Sequence, residues 1–192
     1  QDDSFGEDGY LGVQKQVRAA GVFAKPLRTA YSRQTGDVEP AVQSILSARD
    51  RVRAVVLVAT YKPTAAFIRR LKDEKLACVF ACVSFVGSRA LANALLSCGP
   101  EYADDVLISQ VVPHFASGLP AVKAYRAAMR EEFPAEPPGF VSLEGYLATR
   151  LLAEGLRRVG RDIDVERLVD ELEEMQGLDL GIGASVSYSP SA

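Results

Sequence analysis

Apolar positions recur along this chain in two rhythms. Residues 54–59 (Ala-Val-Val-Leu-Val-Ala) and 76–83 are continuous apolar runs. That pattern belongs to parallel strands covered on both faces. Residues 105–112 read as another strand. The stretches between them follow the helical period instead. Val38, Ala41, Val42, Ile45 and Leu46 share one face of a helix that Asp37 can cap. Pro63 suits a first helical turn, Phe67, Ile68 and Leu71 make the following stripe, and Arg69, Arg70, Lys72 and Lys75 sit near the helix's negative end. Leu91, Ala92, Leu95 and Leu96 predict the next helix, with Ser88 as its cap. Ahead of all of these, Ser4-Phe5-Gly6-Glu7 has the form of a capping box, and the helix it opens carries Leu11 and Val17 before a left-handed stop at Gly21. Residues 23–31 read as extended, with Pro26 marking an edge or irregular strand.

Strand and helix alternate with short connections, which predicts an α/β fold: a doubly wound parallel sheet with helices on both faces. Beyond Val112 the texture changes. Pro113, Pro120, Pro134, Pro137 and Pro138 break the segment, and three helices are predicted, over 119–132, 141–159 and 165–175. Asp164 caps the last of them, and Gly160 stops the one before. Residues 184–188 alternate like a closing strand. One short strand cannot cover three helices, so this part either packs on the first sheet or forms part of a second α/β lobe. A parallel unit that opens on a helix also lacks its leading strand.

Composition narrows the function classes. With 48% hydrophobic and 24% charged residues the 192-residue chain is of ordinary globular make-up, long enough to bury a core without staples. Its net charge is −3 and it holds no basic block interleaved with aromatics, so nucleic acid is not an expected partner. Its apolar runs fall far short of the roughly 20 residues a membrane helix needs. Gln1-Asp2-Asp3 leads into a helix with no basic and apolar leader, as in a mature chain or a fragment. Cys78, Cys82 and Cys98 have spacings of neither a redox pair nor a zinc site, and no metal or other cofactor is expected. Cys78 reads as a buried small hydrophobe, while Cys82 and Cys98 pair only if the fold brings them together.

Catalytic signals are weak. His114 is the single histidine, there is no Gly-x-Ser-x-Gly elbow, and neither phosphate-cradling glycine pattern is present. An enzyme is not expected. In open parallel sheets ligands bind outside the carboxyl ends of the strands, and that rule selects Ser4, Phe5, Thr60, Tyr61, Ser84, Phe85 and Ser88 as rim residues. They combine aromatic walls with hydroxyls beside helix N-termini, which suits a small polar molecule. Each has a plainer role open to it: Ser4 and Ser88 as caps, Phe5 and Phe85 as packing, Asp2 and Asp3 as solvated turn residues.

Several segments, taken together and in order, resemble a known family: Gln1 to Gly9, Thr60-Tyr61-Lys62-Pro63, Ser84-Phe85-Val86-Gly87, Val111-Val112-Pro113, Ser142-Leu143-Glu144-Gly145-Tyr146, and Glu154-Gly155-Leu156-Arg157-Arg158-Val159-Gly160. The chain resembles the type I periplasmic binding proteins, in the subgroup that binds branched-chain amino acids for ABC transporters. The resemblance implies two α/β lobes that close about a hinge on a small solute and deliver it to an ABC permease, in the periplasm or another extracytoplasmic setting, with or without a lipid anchor. It places residues 1–111 in the second lobe and residues 112–192 in the returning part of the first lobe, and it implies that the first part of that lobe is not in this chain. By the same resemblance Phe5 and Tyr61 stand where aromatic side chains wall the ligand, and Phe140 matches a further wall residue. Ser84 stands where the amino-acid binders carry a glutamate that holds the ligand's ammonium. A serine cannot neutralise a buried cation, so the implied solute extends to carboxylates and amides. A sensory domain of the same fold, reporting ligand occupancy to a receptor or regulator, is the alternative.

Overall fold

The computed structural model describes residues 1–23, 25–161 and 163–190. Ala24, inside the extended segment 23–31, and the last two residues of the segment 112–192 lie outside the described residues. The chain divides into two compact units, Gln1–Ser109 and Gln110–Ala192.

In the first unit the order is α1 (Ser4–Ala19), α2 (Glu39–Leu46), β1 (Ala54–Leu57), α3 (Tyr61–Asp73), β2 (Val79–Cys82), α4 (Ser88–Leu96) and β3 (Val106–Ile108). The strands form a parallel sheet in the order β1-β2-β3, with Leu57 opposite Cys82 and Cys82 opposite Ile108. This is the alternating α/β pattern that the two hydrophobic rhythms predict. Val42, Ile45, Phe67, Ile68, Leu71, Phe80, Leu91 and Leu95 close one core from α2, α3, β2 and α4. Burying them is the main drive for folding this unit.

Several local expectations change. Residues 54–59 do not form a central strand: β1 lies at the sheet's end, and Val56 is 46% exposed. Residues 23–31 enter no ladder among the described residues. The cap of α1 is Asp3, not Ser4, because the Asp3 carboxylate accepts the Gly6 N–H at 3.1 Å and leaves Ser4 as the first helical residue. Ser88 likewise opens α4 instead of capping it; the capping position is Gly87, whose φ of 80° completes a tight turn that a side chain would strain. Asp37 accepts the Glu39 N–H at 2.9 Å, yet Val38 occupies the capping position of α2.

The second unit holds α5 (Pro120–Glu132), α6 (Phe140–Val159), α7 (Val165–Glu173) and an antiparallel pair, β4 (Leu178–Asp179) with β5 (Ser185–Val186). Ala121, Val122 and Tyr125 of α5 pack on Leu143 and Leu147 of α6. Asp164 caps α7 as expected, accepting the Arg167 N–H at 2.8 Å. Gly155 lets α6 and α7 approach: a methyl there would lie 3.0 Å from Leu168 Cδ1. The loop between β4 and β5 is tied to the helices, since the Ala121 N–H donates to the Gly181 carbonyl (3.1 Å) and Arg150 donates to the Leu180 carbonyl (2.8 Å).

Candidate functional site

The carboxyl ends of the strands gather most of the expected residues of the first unit. α1 starts beside β1 because Gly9 allows close contact: a methyl at that position would fall 2.5 Å from Val58 Cγ2. The Gln1 amino group donates to the Val58 carbonyl at 3.2 Å, and the Asp2 N–H donates to the Tyr31 carbonyl at 2.9 Å. The chain entering α1 is thereby held at the end of β1. On the β2 side, Val83 leads into a single 3₁₀ turn, Ser84–Val86, which turns Val86 inward and Phe85 outward at 65% exposure.

The first turn of α1 and this 3₁₀ turn meet through their rings. Phe5 and Phe85 have centroids 5.0 Å apart and planes inclined at 60°, within the range of favourable aromatic pairs. Ser84 beside them is half-buried, and Ser4 is exposed. Thr60 is exposed at the N-terminus of α3 and makes no side-chain cap there. Tyr61, the first residue of α3, is half-buried and packs against the core. It is therefore part of the scaffold as well as of the rim.

Sequence reasoning missed Tyr31. Its hydroxyl donates to Gln1 Oε1 at 3.3 Å and is hydrogen-bonded with Thr60, and burial pushes its phenol above the ordinary tyrosine range, with the nearby Asp3 charge adding to the effect. Tyr31 sits in an irregular segment, so no periodicity marks it. Asp3 is held below the usual carboxylate range, first by the Gly6 N–H and then by the Gln1 side-chain amide. Its charge is thereby committed to the helix terminus.

In the second unit Phe140 opens α6 within an aromatic cluster. His114 stacks on Phe115 with centroids 4.4 Å apart, and both rings meet Phe140 edge-on, at 5.4 Å and 4.9 Å. The Ala116 N–H donates to His114 Nδ1 at 3.1 Å, which leaves Nε2 to carry the proton of the neutral ring. The buried Tyr125 hydroxyl accepts the Gly139 N–H at 2.9 Å and pairs with Ser142 Oγ at 2.6 Å, fixing the entry into α6. The three cysteines are free. Cys82 is buried, with a thiol pushed up to about 11 by desolvation, and Cys98 is exposed. Among the described residues no cluster of metal-ligating side chains occurs, and no helix is long and apolar enough to cross a membrane.

The sequence profile of the periplasmic binding protein family matches residues 1–191. The chain belongs to the periplasmic binding protein family. This is a family of solute-binding proteins, and its type I fold is the one seen here. Among solved structures, a possible leucine/isoleucine/valine-binding protein from Rhodopirellula baltica SH 1 is 34% identical with a TM-score of 0.88, covering 100% of this chain and 51% of its own. A substrate-binding periplasmic protein from Ralstonia solanacearum is 26% identical with a TM-score of 0.83, covering 98% of this chain and 52% of its own. A branched-chain amino acid ABC transporter protein from Thermus thermophilus, solved with bound valine, shares the fold at 18% identity and a TM-score of 0.75, over 100% of this chain and 52% of its own. The chain thus spans about half the length of these solved relatives. No curated protein matches its sequence.

Proposed function

We propose that this chain is part of the solute-binding component of an ABC transporter, which captures a small polar organic solute, an amino acid or a carboxylate-like molecule, between two lobes outside the cytoplasm and presents it to a membrane permease. The unit Gln1–Ser109 then belongs to the second lobe and the unit Gln110–Ala192 to the returning part of the first. In the first unit Phe5, Tyr61 and Phe85 wall the solute, with Ser4, Thr60 and Ser84 as polar contacts. Hinged closure selects the liganded state by burying the solute.

One observation carries this reading. The ring of Phe85 is 65% exposed at the carboxyl end of a parallel sheet, yet it is held by Phe5 from the first turn of α1. An aromatic pair at that rim suits a molecule with an apolar body and a polar end. The absence of a carboxylate at Ser84 favours solutes that need no buried counter-ion for an ammonium.

The test is a thermal-shift screen of the full-length protein against amino acids, aromatic acids, short carboxylates and amides. A ligand at 100 times its dissociation constant adds roughly 2.7 kcal/mol to stability. Stabilisation by carboxylates or amides supports the role given to Ser84. Stabilisation by leucine-like amino acids alone overturns that role and leaves solute binding standing. A silent panel counts against capture of this class of solute.

A further inference from the structure

The segment that leads into the helices of the second unit is folded around a histidine. His114, the single histidine of the chain, begins a tight turn: the Ser117 N–H donates to the His114 carbonyl at 2.8 Å. The side chain of His114 is an acceptor inside that same turn, because the Ala116 N–H donates to Nδ1 at 3.1 Å. An imidazole accepts at Nδ1 only while it is neutral with its proton on Nε2; once protonated, both nitrogens are donors. The bond to Ala116 is therefore open to one charge state alone. His114 is exposed, so a proton reaches the ring without any unfolding. The last residue of the turn offers the opposite arrangement. The Ser117 hydroxyl oxygen is buried and has no hydrogen-bond partner among the described residues. The first and last Cα atoms of such a turn lie within about 7 Å of one another, which puts Ser117 Oγ within reach of an imidazole that has released Ala116.

We propose that the His114–Ser117 turn is a proton-operated switch with two hydrogen-bond states. With His114 neutral, Nδ1 accepts the Ala116 N–H and Ser117 Oγ stays unpaired. With His114 protonated, the Ala116 N–H is released and Nδ1–H donates to Ser117 Oγ instead. Each state leaves one polar group without a protein partner. In the first it is the buried Ser117 hydroxyl; in the second it is the N–H of Ala116, an exposed residue whose amide water can serve. The number of hydrogen bonds within the turn is the same in both, so a single proton decides between them.

The imidazole does not turn alone. It stacks on Phe115 with centroids 4.4 Å apart and planes 25° from parallel, and both rings meet Phe140, the first residue of α6, edge-on. Moving Nδ1 from Ala116 toward Ser117 therefore alters the ring contacts at the start of α6. The neighbouring groups set the balance. Phe115, stacked against the ring, favours a positive imidazole. Arg126 of α5 opposes it, since its guanidinium donates to the Ala116 carbonyl at 3.4 Å; Lys123, one turn earlier on α5, is exposed. On α6, Glu144 is exposed one turn beyond Phe140, and the hydroxyls of Tyr125 and Ser142 are committed to each other and to Gly139. In the β4–β5 pair, Asp179 is committed to the Gly181 N–H.

NMR titration of the full-length protein tests the switch, with no solute added, so the outcome is independent of solute capture. As the pH falls through the range in which imidazoles titrate, the protection of the Ala116 amide against exchange is expected to drop by at least about threefold. The ring resonances of Phe115 and Phe140 are expected to shift with the same midpoint as His114. Rings and an Ala116 amide that ignore the titration of His114 overturn the proposal. Ser117→Ala removes the second acceptor and is expected to lower the His114 midpoint by at least about half a pH unit, because the protonated ring loses its partner. An unchanged midpoint in that variant also overturns the proposal. His114→Asn keeps an acceptor for the Ala116 N–H, in a turn geometry that asparagine favours, and does not titrate. Its Ala116 amide should stay protected across the same range, and loss of that protection in acid would assign the change to a group other than His114.

Discussion

Phe5 in the first turn of α1 and Phe85 in the 3₁₀ turn after β2 meet ring to ring, with centroids 5.0 Å apart. The contact leaves Phe85 65% exposed, so little of its area is used in stabilising the free protein. Phe85→Ala is therefore expected to weaken binding of the solute found by the thermal-shift screen by about 1–2 kcal/mol, a usual size for losing an aromatic wall. The melting temperature of the unliganded protein should stay within about a degree or two, since exposed substitutions rarely cost more than a few tenths of a kcal/mol. Calorimetric titration of both proteins checks this, and unchanged affinity removes Phe85 from the wall.

Tyr61 differs from Phe85 in what lies beneath it. It packs against the core while reaching the rim, so Tyr61→Ala should lower both affinity and stability, each by about 1–3 kcal/mol. Tyr61→Phe keeps the packing and should cost stability little. If the solute bonds to the hydroxyl, Tyr61→Phe still weakens binding; if the ring alone is used, affinity is kept. Paired denaturation and titration curves for the two variants separate the effects. A stable Tyr61→Ala protein would show that the core contact carries little energy.

How much of this was legible in the sequence depends on where each element finds its partners. The helical stripes of α3 and α4 and the runs around β1 and β2 are local patterns, and they predict the alternating α/β order directly. The run at 54–59 also predicts a central, doubly covered strand, while β1 lies at the sheet's end with Val56 exposed. Apolar patterning reports a strand's composition and not its place in the sheet. The caps of α1, α2 and α4 lie one residue from the expected Ser4, Asp37 and Ser88, because the spacing of polar residues does not fix which backbone position leaves the helix. Strand β4 has two residues, too short for any period. The rim residues followed from a topological rule, whereas Tyr31 and the stacking of His114 on Phe115 and Phe140 depend on irregular backbone that leaves no pattern.

The Tyr125 hydroxyl gives a prediction for the second unit. The side chain is 1% exposed, and its oxygen satisfies the Gly139 N–H at the start of α6 while pairing with Ser142. Tyr125→Phe keeps the ring in the core and leaves that N–H without its acceptor. The expected loss is about 1–3 kcal/mol, the usual cost of an unpaired buried polar group. Because Phe140 follows Gly139 directly, the variant should also loosen the aromatic cluster with His114 and Phe115, which NMR line shapes of the His114 ring would report. Chemical denaturation showing no loss would mean that the Gly139 N–H finds another acceptor.

Asp3 supplies a pH-dependent prediction. Its carboxyl is held below the ordinary range by the Gly6 N–H, by the Gln1 side-chain amide and, more weakly, by Arg33 at 4.0 Å. A group whose folded pKa lies below its unfolded value contributes fully above the unfolded value, and the contribution is lost as pH falls through the folded one. At pH 7 Asp3→Ala should therefore lower the melting temperature by a few degrees, as loss of a helix cap does. The gap between variant and parent should narrow as the pH drops below the usual carboxylate range. Asp3→Asn retains an acceptor for the Gly6 N–H and should recover most of the loss at neutral pH, with a flatter dependence on acid. Melting curves of the three proteins from pH 7 down to about pH 3, spanning the ordinary aspartate range, test this. A gap that stays constant across that range would show that the cap acts through hydrogen-bond geometry alone, independent of the charge.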